Sequence, residues 1–240
     1  MRRRSTSVAA LLALALATAA GAGCGGSGGG SGGHYSAAQI KAAYFKGAGD
    51  PTVRGSWVDA DYHSHTNYVP IGGLETCPLA QRSNAPESAP NMVEPSAAQP
   101  VGQYLVEPRE AGDERAPTIT QDALVFGTSA IADSGMDAVM SAAGKCPTSY
   151  EVRGGPSPIL GTYSVSSRPY AQAGWKGFAQ QIAHTSPADD VYYEDVAHVV
   201  VHRANVILSF DFDQHRVIGQ RSNATAMAER VLKTVLARLG

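Results

Sequence analysis

The histidines of this chain are the first side chains whose spacing could support chemistry. His63 and His65 lie two positions apart, and alternate residues of a strand share one face, so both imidazoles could reach one metal ion. No further ligand follows nearby, and exposed polar residues of a loop or an edge strand explain the pair better. His198 and His202 share a strand face by the same argument, and we interpret them as surface residues.

Acidic residues suggest two further metal sites, and each has a simpler explanation. Asp211, Asp213 and His215 share one face of a predicted strand, where carboxylates and an imidazole could ligate a metal. The alternation of polar and apolar residues already explains them as the solvent-exposed face of that strand. The acidic residues at 189–195 lack the glycine and ligand periodicity of calcium loops and indicate a solvated turn. We therefore predict no metal site and no cofactor.

No arrangement of residues predicts a catalytic nucleophile. Residues 25–29 match the Gly-x-Ser-x-Gly pattern of hydrolases, but they lie in a low-complexity spacer, where the strained strand-to-helix turn is missing. Cys77 and Cys146 each precede a proline, and in an exported chain such cysteines favour a disulfide over a reactive thiol. We therefore predict that the protein is not an enzyme.

The first 33 residues indicate export and a membrane anchor. Three arginines precede an apolar run, Val8–Ala20, which has the length of a signal-peptide core and is short for a bilayer span. Small residues then lead to Cys24, as in bacterial lipoprotein signals, although Gly21 stands where a leucine-like residue is usual. We predict a signal peptide at 1–23, acylation of Cys24, a Gly/Ser tether at 24–33 and one extracytoplasmic domain at 34–240.

Charge and composition exclude some partners. The chain has 240 residues, with 19 Lys and Arg against 21 Asp and Glu, and removal of residues 1–23 takes away three arginines and no acid. Nucleic-acid binding would need clustered positive charge, so we predict no nucleic-acid partner. Membrane association would depend on the lipid, because the mature chain is acidic. An apolar fraction of 43% is enough to build a core.

The elements that must position these residues alternate between helices and strands. Capping residues and apolar spacing predict helices at 36–46, at 128–143 and from about 223 to the end. Residues 81–100, rich in Pro, Ser, Asn and Ala, predict a long surface loop. Strands are predicted at Ser56–Tyr62, Gln103–Val106, Ile119–Phe126, Ser149–Val152, Gly161–Ser167, Trp175–His184, Val191–His202 and Asn205–Asp213. The fold class is α+β, an antiparallel β-sheet with helices packed mainly on one face.

Short motifs recur in a fixed order along residues 123–240. Leu124–Thr128 opens a helix that ends at Cys146-Pro147, Gly174-Trp175 follows, and then comes the strand pair Val199–Leu208. This order resembles the PknH-like extracellular sensor domain of actinobacterial serine/threonine kinases, which also occurs alone in secreted lipoproteins. The resemblance implies a sheet with helices on one side, a disulfide-anchored helix and a ligand-binding cleft. Its members often carry a cysteine after the Gly-Trp pair, where this chain has Lys176-Gly177.

Together these patterns predict a non-catalytic, lipid-anchored ligand-binding or sensor-type domain on the outer side of a bacterial cell membrane. We expect a disulfide between Cys77 and Cys146, since they are the remaining cysteines once Cys24 carries lipid. The ligand would be a small molecule, a lipid or another envelope component, held between the sheet and the loop-rich first half. Trp175 is the candidate ligand-binding residue, with core packing as its alternative. A structural or protein-interaction lipoprotein and a secreted hydrolase remain alternative functions.

Overall fold

A seven-stranded antiparallel sheet carries most of the structure. This computed structural model describes residues 33–47, 50, 74–76, 92–93, 97–153, 159–185, 192–217 and 219–240. Its elements are α1 (Ala37–Ala43), β1 (Leu74–Glu75), β2 (Met92–Val93), β3 (Ala98–Val106), β4 (Thr118–Phe126), α2 (Ser129–Ala143), β5 (Ser149–Arg153), β6 (Ile159–Gln172), β7 (Trp175–Thr185), β8 (Tyr192–Arg203), β9 (Val206–Val217) and α3 (Ala224–Leu239). The large sheet has the order β3-β4-β9-β8-β7-β6-β5, and β1 pairs separately with β2.

A tight hairpin determines the register of β8 and β9 at the centre of the sheet. Arg203 pairs with Val206 across the turn Ala204-Asn205, which confirms the predicted hairpin of the two strongest strands. Asn205 is buried, and its side chain bonds to backbone atoms of both Tyr35 and Phe126 at 2.7–2.9 Å. This side chain therefore ties the N-terminal segment and the end of β4 to the turn.

One face of the sheet packs against α1 and α3. Alternate residues of β8 and β9 supply this face, as the period of a strand requires. The apolar stripe of α3 packs against them, and Tyr44 and Phe45, just after α1, are fully buried in the same core. The strand residues of this core include Ala197, Val199, Val201, Leu208, Phe210 and Phe212.

The opposite face packs against α2. The buried residues Ala132, Met136 and Val139 of that helix share a core with β4, β7, β8 and β9 side chains. The strands are apolar on both faces here, as in sheets that are covered twice. The α+β class is confirmed, with two of the three described helices on one face of the sheet and α2 on the other.

Helices α1 and α2 each begin directly after a residue whose side chain caps the helix. The Ser36 hydroxyl accepts the Gln39 N–H and forms a capping box, and Thr128 Oγ1 accepts the Ile131 N–H. The first helix ends at Ala43, three residues before the predicted end, because the chain turns to bury Tyr44 and Phe45.

The predictions for the first half of the chain differ most from the structure. The predicted strand Ser56–Tyr62 lies outside the described residues, as does most of the predicted loop at 81–100. The end of that loop prediction is wrong, because residues 98–100 begin β3 and pair with residues 124–126 of β4. A long neighbouring strand offers hydrogen-bond partners that a sequence window does not contain.

Candidate functional site

Ionisable side chains gather on the sheet face that α2 covers only in part. The β8–β9 register places Val200 and Ser209 near α2, then His198 beside Asp211, and finally Glu194 beside His215. All of these positions belong to one face, because paired residues in neighbouring strands point to the same side. The face therefore changes from apolar under α2 to polar toward the start of β8.

Three side chains of this face lie close together: Glu194, Asp213 and His215. We call them the His215 cluster. His215 Nε2 lies 3.5 Å from Glu194 Oε1 and 3.4 Å from Asp213 Oδ1. One ligand atom of each residue lies within 4.8 Å of the other two. Glu194 and His215 are buried, and Asp213 is partly buried. Two carboxylates and an imidazole at this separation can share either a proton or a metal ion.

Further donors hold the outer oxygens of the two carboxylates. The Tyr163 hydroxyl donates to Glu194 Oε2 at 3.2 Å, and the Arg115 guanidinium donates to Asp213 Oδ2 at 3.1 Å. Burial alone would lower the pKa of His215, but hydrogen bonds and charge from Asp213 and Glu194 outweigh it and raise the pKa to about 9. The imidazole is therefore cationic at neutral pH. The register also sets His184 of β7 opposite Glu194.

A second histidine–carboxylate pair lies closer to α2. His198 Nδ1 is 2.7 Å from Asp211 Oδ1, and the His198 ring lies against Phe178 with centroids 5.9 Å apart. Such a carboxylate orients an imidazole in many hydrolases. Here the His198 side chain is 0% exposed, so a substrate has no access to it in this conformation. The pair fits a buried polar contact within the sheet.

Three sequence interpretations of these residues are wrong. His198 is fully buried and not a surface residue, and His202 is largely buried against Ala204 and Asp133. The face with Asp211, Asp213 and His215 is not a solvent face, since His215 is only 8% exposed. The acidic residues at 194–195 are buried within β8 and do not form a solvated turn. In each case the neighbouring strands shield from water a face of the sheet that consists of polar residues.

The other face of the sheet has a groove beside α3, which we call the α3 groove. Helix α3 packs mainly on β8 and β9, and a cavity of about 200 Å³ lies between the helix and strands β6, β7 and β8. Alanines keep the space open, because their side chains are too short to fill it. The floor consists of Ala179, Ala197, Val199 and Ala228, and the rim includes Ser166, Ser167, Arg168, Gln181, Thr225 and Glu229.

An ion pair lies on the rim of the α3 groove. Arg168 of β6 and Glu229 of α3 are 2.7 Å apart, and both are about half exposed. The Arg168 guanidinium also lies 5.9 Å from the centre of the Tyr170 ring. Burial and the Glu229 charge raise the pKa of the Tyr170 hydroxyl, so it stays protonated as a hydrogen-bond donor at neutral pH. The groove thus joins an apolar floor to a rim of hydroxyl, amide and charged groups.

Trp175, the residue predicted to bind a ligand, lies outside both of these sites. Its side chain is 0% exposed in the core, 5.6 Å from the Tyr35 ring centroid, and it lines neither the α3 groove nor the His215 cluster. This position favours the alternative given for it, core packing, and a ligand could reach the ring only if the core opened.

The cysteines and the first pair of histidines remain predictions. Cys24, Cys77, His63 and His65 lie outside the described residues. The Cys146 sulfur lies 2.9 Å from the carbonyl oxygen of Thr76, the residue before Cys77 in the chain. This placement is compatible with the expected bridge.

Comparison with known proteins finds distant likenesses among solved structures. No protein-family model and no curated protein sequence matches the chain. Among solved structures, the extracellular domain of PknH from Mycobacterium tuberculosis matches with 14% identity and a TM-score of 0.36. The match covers 59% of this chain and 66% of that one, just under two thirds of the PknH domain. Among the described residues, no helix has the length and apolar character to cross a membrane.

Proposed function

We propose that this protein is a lipid-anchored, extracytoplasmic binding domain of the sensor type, which holds a small polar ligand in the α3 groove. The single observation that carries the proposal is the groove itself, an apolar floor with a rim of hydrogen-bonding groups. Sites for small molecules have this composition, in which apolar area supplies affinity and a few polar groups supply orientation.

Binding fits the chemistry of the groove better than catalysis does. Its lining among the described residues contains no histidine or cysteine, and its arginine is paired with a glutamate. Hydroxyl and amide groups from Ser166, Gln181 and Thr225 suit a ligand rich in hydroxyls, such as a cell-envelope glycan. An acylated Cys24 and the Gly/Ser tether would hold this groove close to the outer surface of the cell membrane.

A ligand screen with a groove-filling variant tests the proposal. The full chain, extracted in mild detergent, is screened by thermal shift against peptidoglycan fragments and short-chain phospholipids. A ligand that binds only the folded state raises the melting temperature. Ser166→Trp would fill the groove from its exposed rim and abolish the shift.

Ser164→Trp is the matched control, because Ser164 is an exposed residue of the same strand and face that does not line the groove. It should keep the full shift. A ligand whose shift survives Ser166→Trp would bind elsewhere and contradict the groove assignment. A panel without any shift would contradict the proposed ligand class.

A further inference from the structure

We propose that the His215 cluster binds one divalent transition-metal ion, with Glu194, Asp213 and His215 as its protein ligands. This site is separate from the α3 groove, since it lies on the opposite face of the sheet. One imidazole nitrogen and two carboxylate oxygens suit Zn²⁺ and its first-row neighbours.

The distances within the cluster match a metal site better than a hydrogen-bonded ion triad. Charged N–H···O bonds are about 2.8 Å long. The imidazole nitrogen here lies 3.5 Å from the Glu194 oxygen and 3.4 Å from the Asp213 oxygen. Two ligand atoms that each lie about 2.1 Å from a tetrahedral zinc are about 3.4 Å apart. The two separations therefore fit a shared metal ion, whereas without the ion they allow only long hydrogen bonds between the imidazole and the two carboxylates.

The surrounding residues orient the carboxylates as an outer shell does in metal proteins. Tyr163 and Arg115 hold the outer oxygen of Glu194 and of Asp213, respectively, while Oε1 and Oδ1 are the atoms nearest the imidazole. Hydrogen bonds of this kind fix the direction of ligating groups and strengthen binding. All three ligands stand on the paired strands β8 and β9, so little rearrangement is needed on binding.

A tetrahedral ion with three protein ligands keeps a fourth position. In zinc proteins water or an external ligand takes this position. Metal binding at the His215 cluster requires neither the Cys24 lipid nor the α3 groove, so a metal titration measures it independently of ligand binding in the groove.

Metal titration of the full chain tests the proposal. The detergent-extracted protein is treated with EDTA, freed of chelator, and titrated with ZnCl₂ by calorimetry and with CoCl₂ by visible absorption. We expect one equivalent of metal and cobalt bands in the visible region. Glu194→Gln and Asp213→Asn, which keep side-chain size, should each weaken binding about tenfold or more, and His215→Gln should abolish the cobalt bands.

Two control variants separate this site from non-specific binding. Asp211→Asn and His202→Gln change a carboxylate and an imidazole of the same sheet face outside the cluster, and both should bind metal like the wild type. Circular dichroism checks folding, and if His215→Gln unfolds, the two isosteric variants decide. Wild type without stoichiometric binding, or unchanged affinity in Glu194→Gln and Asp213→Asn, would overturn the proposal.

Discussion

Gly177 sets how closely β7 approaches β8. A Cβ atom at this position would lie 1.9 Å from the Val200 carbonyl oxygen, far inside van der Waals contact. Both atoms belong to central strands, so relief requires the backbone to move. Gly177→Ala should therefore lower the free energy of unfolding by about 2 kcal/mol, measured by urea denaturation.

Gly127→Ala provides the comparison for that variant. A Cβ atom at Gly127 meets nothing within 4 Å, and the residue does not have a positive φ. This variant should match the wild type within about 0.5 kcal/mol. Equal stability of the two variants would show that the β7–β8 approach is not close.

The raised pKa of His215 predicts a loss of stability at alkaline pH in the metal-free protein. The pKa is about 9 in the folded state against 6.5 for an unperturbed histidine, so folding favours the protonated imidazole. Its contribution, on the order of 2 to 3 kcal/mol, is complete below pH 6.5 and is lost as the pH rises through about 9. Urea unfolding in EDTA at pH 6.5 and pH 9.5 measures the loss.

His215→Gln isolates this effect from other groups that titrate in the same range. Asp213 and Glu194 face the imidazole directly, with Tyr163 and Arg115 behind them. The variant should lose most of the difference between pH 6.5 and pH 9.5. An unchanged difference would assign the pH dependence to other residues.

At the scale of elements, the predicted disulfide would attach the end of α2 to the first half of the chain. Cys77 and Cys146 are 69 positions apart, and a loop of that length corresponds to about 4 kcal/mol in the chain-entropy model. The short separation between the Cys146 sulfur and Thr76 supports the pairing. Thiol titration of the unreduced, denatured protein should find neither cysteine free.

A double Cys77→Ser, Cys146→Ser variant tests the consequence. It should unfold at a lower urea concentration than the unreduced wild type and should be insensitive to reducing agent. Two free thiols in the wild type would contradict the pairing.

At the scale of the whole molecule, Cys24 is predicted to be the mature, acylated N-terminus. The charged start, short apolar run and Gly/Ser tether predict it. Mass spectrometry of the membrane fraction should show a chain beginning at Cys24 with attached acyl groups. Cys24→Ala should move the protein out of the membrane fraction, because the variant lacks the side chain that would carry the lipid and the mature chain is acidic.

A soluble wild-type chain that begins after Cys24 would contradict this assignment. The domain would then be secreted rather than anchored. The proposed binding functions of the α3 groove and the His215 cluster would be unaffected, since neither depends on the lipid.

Local patterns were enough to predict the starts of the described helices and most strands of the second half. Capping residues and apolar spacing depend on near neighbours, so the starts of α1, α2 and α3 and the β8–β9 hairpin were visible in the sequence. The hairpin turn also predicts that Glu194 pairs with His215, because Glu194 lies nine residues before Arg203 and His215 lies nine residues after Val206. This equal spacing was the sequence signal that could have identified the His215 cluster.

Burial and the position of the groove were decided only by tertiary structure. Polar residues on alternate positions predict a wet face, yet neighbouring strands and α2 cover much of this one, and His198 is fully buried. The α3 groove depends on α3 packing mainly on β8 and β9 while the sheet continues through β7 to β6, which no local pattern encodes. Strand pairing and helix packing join residues far apart in the chain, so their consequences for a site appear only when the elements are assembled.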